Sequence, residues 1–432
     1  SLVGSEMDIR ARPLPQSSAV TVLPPVASMV DYEQAQSILS ALIGTLPEPD
    51  IEYKPIDQAD GSILARDLRA TSPRPEADIS AMDGYAFYCA DIPAPDQHNI
   101  VPIPLRDYVV AGDLPQPHKY GTAATILTGA RLPAGADCVI ARERVEVRDG
   151  IVHIAASDII PGKNIRRAGE EFPAGTLLLA AGQKLDWRDI ALLASQNINQ
   201  VAVYKPLRVG IIASGAEFAQ NAADCRAEVN TPLLGAMLTR SGVQVLSRVV
   251  GSDNPLELRN VISELAAHSD ILVTTGGISV GQTDNVLPVM EQLGATCLFR
   301  RVKMRPGKPF TLMQLGTKPV FCLPGNPGAT AICAQLFVLP FLHARMGRKP
   351  TQTDLTLQGG RSSFTFSTPP DAACFVPITY TQSGKEGVFS LVVSQGASDI
   401  TCFSRASGLM HIPAGHTLNI GDWCHATFFH AV

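Results

Sequence analysis

Residues 270–294 read "DILVTTGGISVGQTDNVLPVMEQLG": an apolar run, a glycine-rich loop ending on Asp284, and a segment with helical character. A loop in that place suits an anion, because free backbone N–H groups and a helix N-terminus point at it. It carries no lysine or arginine. The same rhythm runs outward on both sides. Upstream come "LRVGIIA" from Leu207 as a strand, "TPLLGAMLTRSG" as a helix capped by Thr231 with Pro232 in its first turn, the strand "VQVLSRVVG" and the helix "PLELRNVISELAAH". Downstream, "PVFCL" is a further strand before another helix. Strands alternating with helices of this length indicate parallel βαβ units in a sheet covered on both faces, with ligands bound beyond the carboxyl ends of the strands. Residues 205–349 are therefore expected to form one α/β domain.

The flanking sequence has a different character. "DYEQAQSILSALIGTL", Asp31 to Leu46, places Ala35, Ile38, Leu39, Leu42 and Ile43 on one helical face, with Asp31 as cap and "PEP" as stop. Short β-prone runs then alternate with turn clusters, as in "NIVPIPL", "TAATILT" and "DCVIARERVEV". A second helix, "DWRDIALLASQNI", is expected to pack back on the first. These features predict a discontinuous domain of residues 29–55 and 158–204, interrupted by a β-rich insertion of residues 56–157. Residues 350–432 return to short strands and turns, a small closing β-domain.

A chain of 432 residues is long enough for several cores. With 45% apolar and 17% charged residues and a formal net charge of −5, it has no basic excess to attract nucleic acid. The most apolar segment, "AICAQLFVLPFL" from Ala331 to Leu342, contains Gln335 and Pro340 and falls short of the roughly 20 residues of a membrane span. No membrane association is expected. Nine cysteines stand singly, mostly in apolar runs, without a CxxC pair, and the nine histidines show no HExxH. Buried reduced thiols and a cytoplasmic setting follow, with no His/Cys metal site. The Pro-rich residues 1–28 lack a charged-then-apolar signal pattern and are expected to form a flexible arm.

Three glycine-rich turns follow strands of the α/β region: "SGAEF" (Ser214–Phe218), "TTGGISVG" (Thr274–Gly281) and "LPGNPG" (Leu323–Gly328). Their positions place all three on one sheet edge. None is GxGxxG after a first strand or a P-loop, so ordinary dinucleotide and mononucleotide motifs are absent. Each has two readings, a tight turn needing positive φ or a backbone anion cradle. Asp284 likewise is either a helix cap or a ligand. "VKMRPGKPF" supplies Lys303, Arg305 and Lys308 around a rigid turn, cations suited to phosphates or a tetrahedral oxyanion. Glu217 and Asp284 beside phosphate-binding loops make chemical sense if a divalent cation bridges the two. Outside this domain, Asp83 in "SAMDGYAF" and Glu170 and Glu171 in "IRRAGEEF" are further acids, readable as turn and surface residues or as site residues.

"SAMDGYA", "LTGARLPAGADCVI", "IRRAGEEFPAGTLLLAAG", "TTGGISVGQTD", "RPGKP" and "LPGNP" occur in the order and approximate spacing of the MoeA family. The chain resembles these molybdenum insertases, whose eukaryotic relatives include the gephyrin E domain, from about Val30 to its end, including "SQGASDITCFSRASGLMHIPAG". The resemblance implies a multidomain α/β plus β fold: a discontinuous linking domain, an inserted β-domain, a MogA-like molybdopterin-binding α/β domain and a C-terminal β-barrel. It implies homodimers in which the "SAMDGYA" module of one subunit covers the α/β site of the other, with Asp83, Glu171, Glu217 and Asp284 as catalytic residues. Glu217 and Asp284 would hold Mg²⁺. Substrate contacts fall on Thr128, Ser214, Gly215, Thr275, Gly276, Gly277, Ser279, Gly281, Lys303, Arg305, Pro306, Lys308, Pro324, Gly325, Asn326 and Pro327. The implied reaction inserts molybdate into adenylylated molybdopterin and releases AMP, downstream of a molybdopterin adenylyltransferase.

Some positions depart from the family pattern. Ala216 stands in "SGAE" where an acid is usual, "GEE" replaces "GED" at Glu171, Glu228 in "EVN" replaces an aspartate, and Pro377 in "CFVP" replaces an arginine. Two alternatives accompany the transferase reading: a weakened paralogue that binds or delivers molybdopterin, and a nucleotide hydrolase on the same α/β fold.

Overall fold

The structure is a computed structural model and describes residues 29–92, 99–218, 227–252, 254–278, 285–348, 357–384 and 386–429. Helix α1 (Tyr32–Thr45) begins where Asp31 caps it: the Asp31 carboxylate accepts from Gln34 N at 2.8 Å, and Gln34 Oε1 accepts from Asp31 N at 3.0 Å. Strands β1 (Ile51–Pro55), β2 (Leu68–Arg69) and β3 (Ile79–Ser80) follow.

The insertion is a six-stranded sheet of β4 (Gly84–Phe87), β5 (Ile100–Val109), β6 (Ala123–Ile126), β7 (Cys138–Ala141), β8 (Glu146–Arg148) and β9 (Ile151–Ala155), in the order β7-β4-β6-β5-β9-β8. The chain returns through β10 (Ile165–Arg166), β11 (Leu177–Leu179), helix α2 (Trp187–Ala194) and β12 (Gln200–Tyr204). Each returning strand pairs antiparallel with an outgoing one: β12 with β1, β11 with β2, β10 with β3. Residues 56–69, expected within the insertion, thus pack and pair with the returning chain, whereas Ile79 and Ser80 also bond to the Gly129–Arg131 turn of the insertion. The cause is burial, because Ala59 and Leu64 share a core with Leu179, Leu185, Leu193, Val201 and Val203.

The α/β domain comprises β13 (Arg208–Ser214), α3 (Asn230–Arg240), β14 (Gln244–Val250), α4 (Pro255–His268), β15 (Ile271–Thr275), α5 (Val286–Gln292), β16 (Thr296–Arg300), β17 (Met304–Arg305), β18 (Thr311–Leu315) and β19 (Lys318–Leu323). It ends in α6 (Pro327–Cys333), a π turn over Ala334–Val338, and α7 (Leu339–Arg345). The sheet order is β14-β13-β15-β19-β18-β16; β14, β13, β15 and β19 are parallel, β18 runs antiparallel to β19, and β16 runs antiparallel to β18. Helix α3 is capped by Glu228, not by Thr231: its carboxylate accepts from Asn230 N at 2.7 Å and Thr231 N at 3.0 Å. By length and composition Pro327–Arg345 could cross a membrane, but 67% of its most apolar window is buried in the molecule. That is the packing of a core helix. Helix α1 docks on this element, burying Leu39 and Leu42 in the same core as Phe337 and Phe341. The expected pairing of α1 with α2 does not occur there, since Leu193 of α2 lies in the separate core of the discontinuous part.

The C-terminal region contains β20 (Leu357–Ser362), β21 (Phe366–Ser367), β22 (Ala373–Ser383), β23 (Glu386–Leu391), α8 (Thr401–Arg405), β24 (Gly408–Ile412), β25 (Thr417–Leu418) and β26 (Trp423–Phe428). The ring β22-β23-β20-β26-β24 closes through β24 onto β22. It is a small barrel, and β17 joins it in parallel beside β22.

Candidate functional site

The three glycine turns leave the carboxyl ends of β13, β15 and β19. From β13 the chain passes to β14 on one side and then crosses to β15 on the other. This reversal is a topological switch point, where ligands of open parallel sheets bind. A cavity of about 590 Å³ opens there, lined by Ser214, Gly215, Glu217, Thr275, Gly276, Gly277 and the Pro324–Pro327 turn, among others.

Close backbone contact holds the turns together. Gly276 has φ +83°, and a Cβ on it would stand 2.3 Å from the Ser214 carbonyl oxygen. Only glycine fits between the first and second turns. A Cβ on Gly325 would meet Gly276 Cα at 3.4 Å, so the third turn also lies against the second. Thr275 Oγ1 donates to the Pro324 carbonyl at 3.1 Å, and Thr330 Oγ1 donates to the same oxygen at 2.5 Å. Asn326 Oδ1 accepts from Ser398 Oγ at 3.1 Å, which brings the segment before α8 to the rim.

Glu217 is the acid in the described lining, its carboxylate folded against Gly215. Ser279, Gly281 and Asp284 lie outside the described residues; α5 begins at Val286 with Asn285 at its N-cap position. The basic turn is not in this cavity. Arg305 and Pro306 line a neighbouring cleft of about 390 Å³ with Phe375, Pro377 and Phe403, and only Pro309 of the turn reaches the glycine cavity. Lys303 and Lys308 line neither. The reason is β17, whose pairing with β22 draws the turn toward the barrel. Pro377, at the departure from the family pattern, faces the same cleft as Arg305.

Asp83, Thr128 and Glu171 are also absent from the lining. Asp83 precedes β4, and its Oδ1 accepts from Thr128 N and Oγ1, both at 2.7 Å. These bonds, the backbone one first, hold its carboxyl below the ordinary range. Glu171 is gripped by Arg166 at 2.7 Å and Arg74 at 2.8 Å. The Arg166 bond chiefly lowers its pKa, so Glu171 is a fixed anion rather than a proton acceptor. Among the described residues no three or more His, Cys, Asp or Glu side chains are grouped to hold a metal. A Mg²⁺ needs only one or two carboxylates beside water and phosphate, so Glu217 alone is compatible with one. Burial pushes the Cys322 thiol up to about 12, which leaves it inert.

Sequence reasoning passed over Asn230, which lines the cavity from the first turn of α3. Its signal was available: a polar residue opening a helix after "EV" in the segment following the first glycine turn.

Comparison with known proteins agrees with this architecture. Residues 30–196 match the family described as the MoeA N-terminal region (domain I and II), and residues 210–344 match the probable molybdopterin binding domain. A molybdopterin molybdenumtransferase from a Nostoc species is 33% identical over 74% of this chain and 75% of its own. One from Synechococcus elongatus is 33% identical over 73% and 80%, respectively. A solved structure of a molybdopterin biosynthesis moeA protein from Pyrococcus horikosii superposes with a TM-score of 0.80 at 26% identity, covering 94% of this chain and all of that one (100%). By sequence over most of its length and by fold, the chain belongs to the MoeA family of molybdopterin molybdenumtransferases.

Proposed function

We propose that this protein is a molybdopterin molybdenumtransferase that inserts molybdate into adenylylated molybdopterin during molybdenum cofactor biosynthesis, releasing AMP. The observation that carries the reading is the cavity at the switch point, built from three glycine-rich turns that meet beyond the strand ends. Such turns suit a phosphoanhydride, whose oxygens backbone N–H groups can meet without a cationic side chain. Ser214, Gly215, Thr275–Gly277 and Pro324–Pro327 would hold the substrate, and Arg305 in the adjoining cleft, with Lys303 and Lys308 near it in sequence, would attract the oxyanion. Glu217, with Asp284, would hold Mg²⁺. When bound, that ion supplies charge neutralisation at the phosphates.

The working unit is proposed to be a homodimer, in which Asp83, Thr128 and Glu171 of one subunit cover the cavity of the other. In support, Asp83 and Glu171 are both held ionised by their own neighbours while standing outside their own subunit's cavity. A molybdopterin adenylyltransferase would supply the substrate, and the buried free thiols suit a reducing cytoplasm. The test is to incubate the protein with adenylylated molybdopterin, molybdate and Mg²⁺ and to measure cofactor and AMP. Both should accumulate; a folded protein that forms neither would refute the proposal.

A further inference from the structure

We propose that Asn230 is a positioning residue that sets the spacing between the second and third glycine turns, and hence the width of the cavity the substrate enters. The inference rests on reading that cavity as the substrate site. Asn230 opens α3, is only 4% exposed, and lines the cavity. Its Nδ2 donates to Thr275 Oγ1 on the second turn and to the Gly325 carbonyl on the third, both at 2.8 Å. The Gly325 carbonyl can only accept, so the amide orientation is fixed. Thr275 Oγ1 passes the link on by donating to the Pro324 carbonyl. One side chain thus uses both amide protons to hold two turns from the start of a helix that Glu228 anchors.

Its other half is left over: among the described residues, buried Asn230 Oδ1 has no hydrogen-bond partner. A buried acceptor without a donor carries a desolvation cost, set against the two bonds the amide nitrogen makes. The geometry needs a planar group with two donors on one atom, and the amide is the uncharged side chain that offers it.

Asn230→Asp preserves shape and removes the donors. An ionised carboxylate would face the Gly325 carbonyl and push the turns apart, whereas a protonated carboxyl donates one bond and draws them back. With adenylylated molybdopterin as substrate, the KM of the variant should rise about tenfold at pH 8, with kcat changing less, and fall toward the wild-type value as the pH is lowered to about 5.5. A variant profile parallel to wild type would overturn the proposal. Thr275→Val supplies a second arm: combined with Asn230→Asp, its effect on KM should be less than multiplicative, and independent effects would contradict a shared link.

Amide hydrogen exchange at Thr275–Gly277 and at Leu323, Gly325 and Asn326 reads the same link without substrate. It should quicken about tenfold in Asn230→Asp, and unchanged exchange would again overturn the proposal. An inactive wild type would refute the transferase reading alone, because the exchange measurement would still decide the role of Asn230.

Discussion

Gly276 shows how little room the site leaves for side chains. Its positive φ and the 2.3 Å that would separate a Cβ at this position from the Ser214 oxygen mean that any substitution must part the first two turns. Gly276→Ala is expected to lower stability by about 1–3 kcal/mol, read from denaturant unfolding, and to reduce transfer at least tenfold. Unchanged activity would show that the spacing of these turns is not what the substrate reads. At this scale the sequence was informative about glycines and acids but not about linkage. "TTGG" and "GNP" announce backbone chemistry, whereas nothing local announces that Asn230 joins them, because its partners are 45 and 95 residues away.

The elements divide in the same way. The strand–helix alternation from Leu207 was legible because a strand buried on both faces reads as a continuous apolar run and an amphipathic helix has its own period. Strands β16 and β18 were not foreseen, since a rule of alternation continues until something breaks it. What breaks it is Gly316, with φ +60° in a tight hairpin where Leu315 pairs with Lys318. Strands of two residues such as β2 and β3 are too short to show a period at all. The apolar faces of α1 and α2 were visible, yet amphipathicity does not name a partner.

The segment leaving the inserted sheet carries its own electrostatic lock. Asp158 is 5% exposed and accepts from Lys163 at 2.8 Å and from Arg144 at 3.0 Å. Chiefly through the Lys163 bond, its folded pKa is lowered. A carboxylate of this kind contributes stability above its unfolded pKa of about 3.9, and the contribution is lost as the pH falls through the lower folded value. Asp158→Asn should therefore melt below wild type at pH 7, with the gap narrowing below about pH 4. A gap independent of pH would mean that the residue acts by packing rather than by charge.

Across the whole molecule, the discontinuous part and its inserted sheet are joined to the α/β domain by two connectors. One is the "LPEPD" segment between α1 and β1, the other the "KPL" segment between β12 and β13; they are tied by a backbone bond from Lys205 N to Asp50 O at 2.8 Å. Proline in both connectors limits their freedom, and Ile63 packs into the α/β core with Leu238 and Val243, so the two parts are fixed to each other. A fixed placement of the inserted sheet suits the proposed role of covering a partner's cavity. If Asp83 and Glu217 serve one site from different subunits, Asp83→Asn and Glu217→Gln should each be inactive, yet mixed dimers should regain roughly a quarter of wild-type activity at equal mixing. Absence of recovery after verified subunit exchange would place both residues in separate roles within one chain.

The central claim is that the cavity couples cleavage of the adenylylated substrate to metal insertion. The direct measurement is a single-turnover reaction with adenylylated molybdopterin, molybdate and Mg²⁺, in which AMP and molybdenum cofactor are quantified in the same samples. The two should appear together in equal amounts, with both slowed alike in Gly276→Ala. Release of AMP without cofactor would contradict the account and assign the cavity to nucleotide hydrolysis.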